Sequence, residues 1–376
     1  LVERIAWLIH HRGVPPQNIL ALTFTERAAA ELEARTDLAL PMSAFRPWVG
    51  TFHGFGEYVL REEALAIGLD PRFRILSSPE TWLLLKRNLF SLPLSRYRPL
   101  GNPTKFIQAL VEFFGQAKDQ GMTPEVLEAY AKTAASTPRT KSGQHDDAAG
   151  WQELAAAYRA YVALQRQKGA LDFGDLLLET LRVFRERPAL LEKYQRRFTE
   201  ILVDEFQDTN ATQLQLVELL AGPRGNLLVS SDDDQAIFAF RGSNVGNVLR
   251  FRERFPTASL IVLTDNFRSP QVLLDAAYRL IQQNNPYRLE ATAGISKRLL
   301  RRGSAPSAAL VEHRHFATEE EEFAWVAEEI LRLVDQERPY REMTVLTRTN
   351  AQAGDLAASL LRRDIPHTVS EARGLL

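Results

Sequence analysis

Short apolar runs alternate with helical stretches along most of the chain. Most of the runs are continuously apolar, which is typical of parallel strands buried on both faces, and helical periodicity follows several of them. The pattern therefore predicts an open, mostly parallel α/β sheet. The predicted strands are Asn18–Thr25, Trp48–Phe52, Glu200–Phe206, Asn226–Ser231, Ser259–Thr264, Ala309–Phe316, Met343–Thr347 and Ile365–Val369.

Strand signals disappear between Pro79 and Leu171, where helical periodicity dominates. This segment predicts an all-helical insertion, with a loop at Thr133–Gly150 that is rich in small and polar residues. A further helix is predicted after Thr318, because Glu321 lies three residues on, as in a capping box. The predicted domain limits are 1–78 and 172–265 for a first α/β domain, 79–171 for the insertion and 266–376 for part of a second α/β domain.

Composition excludes several classes of protein. The 376 residues have an ordinary globular mix, with 45% hydrophobic and 25% charged types, so general disorder is excluded. The chain has no cysteine, which excludes disulfides and thiol-ligated metal sites and fits a cytoplasmic location. The formal net charge is −1, so a nucleic-acid partner would have to meet a local basic patch.

The strongest local signal is the segment Ile201–Asp208, an apolar strand that ends in adjacent carboxylates. Ligands of open α/β sheets bind at the carboxyl ends of strands. Asp204 could hold Mg²⁺ there, and Glu205 could accept a proton from an attacking water. The alternative is a strand that ends in a solvated acidic turn.

A second signal is Ser231–Gly242, an acidic turn followed by Gln235, two phenylalanines and an arginine. A glutamine amide can bind a phosphate oxygen, and exposed aromatic rings can stack on bases. The alternative is that the aromatic rings belong to the core. The aromatic and basic candidates are Phe238, Phe240 and Arg241.

Three further strand ends carry candidate residues. The planar, forked guanidinium of Arg268, in Thr264–Pro270, suits phosphate oxygens, although an interdomain salt bridge is an alternative. Leu22–Ala29 and Gly50–Phe55 each turn from a strand into a helix whose first amides could receive a backbone phosphate.

Taken together, these segments resemble the UvrD/Rep-like family of superfamily 1 DNA helicases. Thr23–Ala29 resembles motif Ia, Gly50–Phe55 motif Ic and Leu202–Asp208 motif II, the Walker B segment. Ser231–Gly242 resembles motif III and Asn266–Ser269 motif IV, and Leu171–Leu176 resembles the acidic segment at which the helical insertion returns to the sheet. The order and spacing agree over essentially the whole chain.

The resemblance implies two RecA-like domains with ATP between them and single-stranded DNA across their tops. It implies that Asp204 coordinates Mg²⁺, Glu205 activates water, Gln235 senses the γ-phosphate and Arg268 contacts it, while Phe267 stacks on adenine in place of the usual Tyr. Such enzymes couple ATP hydrolysis to 3′-to-5′ stepping and unwind duplexes, so single-strand/duplex junctions and accessory repair or recombination proteins are expected partners. The implied DNA path consists of Phe24, Thr25, Thr51, His53, Phe238, Phe240 and Arg241.

Several features depart from the family pattern. The sequence contains no Gly-x-x-x-x-Gly-Lys-Ser/Thr loop, and no segment matches motifs V and VI. In the family that loop lies just upstream of the segment matching Leu1–Ile9, so we expect a fragment that binds ATP poorly and does not turn it over alone. Ser231 replaces a usual Gly, and Glu26-Arg27 replaces a common Asn-Lys. Two alternatives remain open, the helicase region of a RecB/AddA-like helicase–nuclease subunit and a non-catalytic DNA-binding remnant.

Overall fold

A computed structural model describes residues 1–40, 45–136, 148–237, 243–303 and 311–369. None of the helices in these ranges is both long enough and apolar enough to cross a lipid bilayer. In chain order, the helices and strands are α1 (Val2–Arg12), β1 (Ile19–Thr23), α2 (Glu26–Ala39), β2 (Trp48–Thr51), α3 (Phe52–Glu62), α4 (Ala64–Ile67), β3 (Arg74–Leu76), α5 (Ser78–Arg87), α6 (Ile107–Asp119), α7 (Pro124–Ser136), α8 (Ala148–Gln167), β4 (Ala170–Asp172), α9 (Phe173–Glu186), α10 (Pro188–Arg197), β5 (Glu200–Val203), α11 (Ala211–Ala221), β6 (Leu227–Val229), α12 (Gly246–Leu249), α13 (Phe251–Arg254), β7 (Asp265–Asn266), α14 (Gln271–Ile281), α15 (Leu289–Ala293), β8 (Leu300–Arg301), α16 (Glu319–Asp335) and α17 (Asn350–Leu361).

The main sheet has four parallel strands in the order β2-β1-β5-β6. All five residues of β1 are buried, as expected for a central parallel strand covered on both faces. The α/β class and the four strands predicted before residue 232 are confirmed, although each strand is shorter than its apolar run. Because all four strands run in one direction, their carboxyl ends lie at one edge of the sheet.

The helices that follow β1 and β2 begin at threonine caps on this edge. The Thr25 hydroxyl accepts a hydrogen bond from the Ala28 amide at 3.1 Å, and that of Thr51 accepts one from the Gly54 amide at 3.0 Å. Such caps satisfy amides that have no partner within the helix. They also fix the first turn of each helix beside the strand ends.

The helical insertion is confirmed as α5–α8, with a core of its own in which Phe114 stacks on Tyr158 and Tyr161. Like the two-residue β7 and β8, two strands beside the insertion escaped prediction, because two or three residues are too few to show a periodicity. These strands, β3 and β4, pair in parallel where the chain enters and leaves the insertion.

The chain divides into two compact units. Unit 1 comprises residues 1–264 and 279–298, and unit 2 comprises residues 265–278 and 299–376. In unit 2, Phe323 and Ala327 of α16 pack with Leu356 and Leu360 of α17 and with Ile365. The domain limits proposed from sequence remain predictions.

The Thr318 cap predicted at the start of α16 is present, but the second hydrogen bond of the predicted capping box differs. Thr318 caps the helix by accepting a hydrogen bond from the Glu321 amide at 3.2 Å. The Glu321 carboxylate, however, accepts from the amide of Ala317 at 3.0 Å. The carboxylate thus binds one residue earlier than in a capping box.

Four predicted strands are wrong within the described residues. Ser259–Thr264, Met343–Thr347 and Ile365–Val369 form no strand, and neither do residues 311–316 of the predicted Ala309–Phe316 strand. A strand requires a hydrogen-bonded neighbour, which an apolar run alone does not supply. Leu263 and Leu346 are 82% and 91% exposed, whereas Ile365 packs into the α16–α17 core.

Candidate functional site

A cleft of about 480 Å³ lies at the carboxyl edge of the main sheet, entirely within unit 1. It is placed where β1 and β5, the two central strands, end side by side. Segments that the sequence singled out separately therefore share one concavity. The residues that line it are Thr23, Phe24, Thr25, Ala28, Glu205, Gln207, Asp208, Asp234, Gln235 and Ile237.

The two carboxylates after β5 have different surroundings. The Asp204 amide donates to the Leu22 carbonyl at 2.8 Å, which extends the β1–β5 ladder, and the Asp204 carboxylate accepts a hydrogen bond from the Ser230 hydroxyl. Glu205 is exposed and has a left-handed backbone, with φ of 50°. Such strain in a residue other than glycine is characteristic of functional sites. The turn places one carboxylate against the sheet and the other at the cleft.

Gln207 joins the turn after β5 to the turn after β6. Its amide nitrogen donates to Glu205 at 2.5 Å, and its amide oxygen accepts from the Ser231 hydroxyl at 3.1 Å and the Asp232 amide at 3.0 Å. The side chain is almost completely buried. Ser231 thus makes a contact that the glycine usual at this position could not make.

Two buried oxygens of the cleft have no hydrogen-bond partner among the residues that the structure describes. These are Oγ1 of Thr23 and Oδ1 of Asp208. Burial, followed by the negative charge of Glu205, raises the pKa of Asp208 from 3.8 to about 6. Buried polar atoms are normally paired, so these two mark the cleft as a place where a bound group would gain contacts.

Gln235 is held by the acidic turn, Asp232–Asp234, that precedes it. Its amide nitrogen donates to Asp232 Oδ2 at 2.8 Å, while its side chain remains exposed at the cleft. The acidic turn is in turn neutralised by two cations. Lys297 Nζ lies 2.6 to 2.9 Å from carboxylate oxygens of all three aspartates, and the Arg288 guanidinium binds Asp234 through two bonds of 2.7 Å.

The residues predicted to form the DNA path in the first α/β lobe lie near one another but differ in exposure. Phe24 and Thr25 line the cleft. The buried Thr51 hydroxyl donates to Glu26 Oε1 at 2.8 Å while it caps α3, so both of its hydrogen-bonding roles are used internally. His53 is half-buried, with its ring 6.0 Å from that of Phe173, and burial lowers the pKa of His53, which keeps it neutral.

The remaining candidates lie elsewhere. Phe238, Phe240 and Arg241 fall outside the described residues. Phe267 and Arg268 belong to unit 2, where both side chains are exposed. The Asn266 side chain orders their turn, because its Oδ1 accepts from the amides of Arg268 at 3.0 Å and Ser269 at 2.8 Å.

The oxygens at the end of β5 suit a hard divalent cation. Magnesium is usually held by one or two carboxylates together with substrate phosphates, rather than by a cage of protein ligands. The Asp204 carboxylate is an oxygen donor of this kind, and no group of three or more acidic or histidine side chains in the described ranges forms a cage. The donor set therefore fits Mg²⁺.

Sequence reasoning missed several residues that complete the site. Gln207, Asp208 and Arg288 were not assigned roles, and the basic run Lys297–Arg302 indicates from sequence either contacts with DNA phosphates or a basic surface loop. For Gln207 and Asp208 the signal was available, since both belong to the conspicuous acidic segment after β5. No pattern in the sequence links Arg288 or Lys297 to the acidic turn, because their contacts with that turn span 54 to 65 residues of sequence.

Fold and site together define an α/β protein with a parallel sheet and a helical insertion, consistent with a RecA-like helicase fold. The chain belongs to the UvrD/Rep-like helicase family. Residues 1–256 match the UvrD/REP helicase N-terminal domain, and residues 261–376 match the UvrD-like helicase C-terminal domain.

Individual relatives agree with this assignment. The chain is 34% identical to the ATP-dependent DNA helicase PcrA of Staphylococcus epidermidis over 373 residues and 33% identical to DNA helicase II of Escherichia coli over 371 residues. PcrA of Leuconostoc citreum is 32% identical over 376 residues. Each match covers 98% of this chain but only 46% or 47% of the relative. The chain thus spans about half the length of the curated relatives it matches.

Proposed function

We propose that this chain is part of the motor of an ATP-dependent DNA helicase that steps 3′-to-5′ along single-stranded DNA. The observation that carries the proposal is the shared cleft. Residues of the segments resembling motifs Ia, II and III line one concavity at the carboxyl edge of the sheet, where α/β proteins bind ligands. Family membership and the names of the relatives, PcrA and DNA helicase II, support the same activity.

The nucleotide chemistry is assigned to five side chains. Asp204 would hold Mg²⁺, which when bound to ATP neutralises phosphate charge. Glu205, exposed at the cleft, would orient a water and accept its proton. Gln235 would detect the γ-phosphate through its exposed amide. Arg268 would contact the same phosphate, and Phe267 would stack on adenine. These last two assignments are supported by the motif match and by the exposure of both side chains.

The DNA path is assigned to the residues singled out from sequence. Phe24 offers a partly exposed ring at the cleft on which a base can stack, and Thr25 lies beside it. Thr51 and His53 would shape the path, since the Thr51 cap and the contact of the His53 ring with Phe173 fix the start of α3. Phe238, Phe240 and Arg241 would complete it. We further propose single-strand/duplex junctions as substrate, repair or recombination proteins as partners and the cytoplasm as location.

The experiment that tests this function is a titration of a labelled single-stranded oligonucleotide with this chain. We expect saturable binding that weakens about tenfold or more between about 50 and 200 mM salt, because phosphate contacts release counterions. Phe24→Ala should weaken binding by the loss of about 1–3 kcal/mol of stacking. Phe90→Ala removes an equally aromatic, 78% exposed side chain after α5 and should leave binding unchanged. No saturable binding at low salt would refute the proposed DNA path.

A further inference from the structure

A lysine far along the sequence from the acidic turn holds that turn together. Lys297 Nζ lies 2.7 Å from Asp232 Oδ1, 2.6 Å from Asp233 Oδ1 and 2.9 Å from Asp234 Oδ2. Three adjacent carboxylates repel one another, and a single ammonium among them offsets that repulsion. The side chain of Lys297 is only 16% exposed, and those of Asp233 and Asp234 are 3% and 17% exposed, so solvent screens these two pairs weakly.

The segment that carries Lys297 is itself bound firmly to the acidic turn. The Arg288 guanidinium binds Asp234 through two bonds of 2.7 Å and Glu290 through a third of 2.7 Å. The Leu289 amide donates to Asp233 Oδ2 at 2.7 Å, and the Lys297 amide donates to Glu290 Oε1 at 2.9 Å. Residues 288–297 therefore form a rigid support for the turn.

A continuous set of hydrogen bonds leads from Lys297 to both proposed reactive side chains. Asp232 accepts from Lys297 through Oδ1 and from the Gln235 amide through Oδ2 at 2.8 Å. The Asp232 backbone amide donates to Gln207, and Gln207 donates to Glu205. Two hydrogen-bonded paths therefore start at Lys297, the Gln235 branch through Asp232 and the Glu205 branch through Asp232 and Gln207.

We propose that Lys297, supported by Arg288, is a positioning residue that fixes Gln235 and, through Asp232 and Gln207, Glu205. This inference rests on the proposed function for the meaning of those two side chains. The segment 279–298 belongs to unit 1, yet it is preceded and followed along the chain by residues of unit 2. Lys297 therefore links the turn that carries Gln235 to a segment whose two covalent connections both lead to unit 2.

The test is hydrogen exchange of this chain, measured on peptides within residues 201–208 and 226–237. Lys297→Met and Lys297→Gln should each accelerate exchange in both peptides by about tenfold, the effect of losing a charged hydrogen bond. Lys297→Arg, which keeps the charge, should restore most of the protection. Lys168→Met, at an exposed lysine after α8, should change neither peptide.

The same substitutions made in a Gln207→Ala chain distinguish a positioning role of Lys297 from a general stabilising role. In Gln207→Ala the Glu205 branch is already broken, so adding Lys297→Met should no longer accelerate exchange in 201–208 while it still does so in 226–237. Exchange that rises only in 288–298, or equally throughout the chain, would overturn the proposal. The experiment needs neither nucleotide nor DNA, so its failure is distinct from a failure of the oligonucleotide titration.

Discussion

At the scale of single residues, the site combines a strained backbone with buried polar atoms that are not hydrogen-bonded to described residues. Glu205 has a left-handed backbone, and the adjoining cleft contains two buried oxygens, on Thr23 and Asp208, that have no hydrogen-bond partner in the described part of the chain. Both features cost stability and persist when the surrounding structure enforces them. Here the buried Gln207, which donates to Glu205, holds the strained turn after β5, so the residues after β5 are organised for binding rather than for stability.

Asp208 gives the clearest test at this scale. The pKa of its carboxyl is about 6 in the folded chain, above its ordinary value of 3.8, so the folded state binds more protons between these two values. The contribution of Asp208 to stability is present at low pH and is lost as the pH rises through about 6. Asp208→Asn should therefore gain stability relative to the parent chain as the pH rises from about 4 to about 7, by roughly 2 kcal/mol.

Thermal or urea unfolding of both chains across this pH range measures the difference. The comparison cancels the other buried carboxyls, such as Asp119 and Asp175, whose pKa burial likewise raises to about 7. A difference in unfolding free energy that does not change with pH would contradict the assignment.

At the scale of elements, the helical insertion is joined to the sheet domain by a buried ion cluster. Lys118 of α6 is fully buried and lies 2.6 Å from Asp172 and 2.8 Å from Asp175, at the end of β4 and the start of α9. A Cβ at Gly174 would lie 2.8 Å from the Lys118 Cβ, so this close approach requires glycine. The acidic segment Leu171–Leu176 thus has a structural role at the base of the insertion.

Lys118→Met tests this role. Removal of the ammonium leaves two buried carboxylates without their cation, which should cost about 3–5 kcal/mol of unfolding free energy. Lys132→Met, at an exposed lysine of α7, should stay within about 0.5 kcal/mol. Urea unfolding of the three chains provides the measurement. Equal stability of the Lys118 and Lys132 variants would show that the cluster does not hold the insertion.

The sequence could predict elements that depend on local pattern and could not predict those that depend on distant partners. Continuous apolar runs located β1, β2, β5 and β6, and helical periodicity located α5–α8. The same kind of run at Met343–Thr347 forms no strand and pairs with no neighbour among the described residues. The motif segments identified the cleft residues, whereas Lys297 and Lys118 act through contacts 47 to 65 residues away.

At the scale of the whole molecule, the proposed nucleotide residues are divided between the two compact units. Asp204, Glu205 and Gln235 belong to unit 1, and Phe267 and Arg268 to unit 2. A phosphate loop of the form Gly-x-x-x-x-Gly-Lys-Ser/Thr supplies the amides and the lysine that hold the β- and γ-phosphates, and the sequence contains none. With the roles proposed above, this chain would supply water activation and phosphate detection without that loop.

We accordingly expect this chain to hydrolyse ATP no faster than its Glu205→Gln variant, even with Mg²⁺ and single-stranded DNA present. A phosphate-release assay on both chains checks this expectation. Turnover that depends on Glu205 would show that the chain binds the triphosphate without the missing loop.

The central claim is that DNA crosses the carboxyl edge of the main sheet, and photo-crosslinking tests it most directly. A single-stranded oligonucleotide with 5-iodouracil at successive positions is irradiated with this chain, and the crosslinked peptides are identified by mass spectrometry. The account predicts crosslinks at Phe24 and within residues 238–241, lost when unlabelled DNA competes. Crosslinks confined to the exposed aromatic residues Trp7 on α1 and Phe90 after α5 would contradict it.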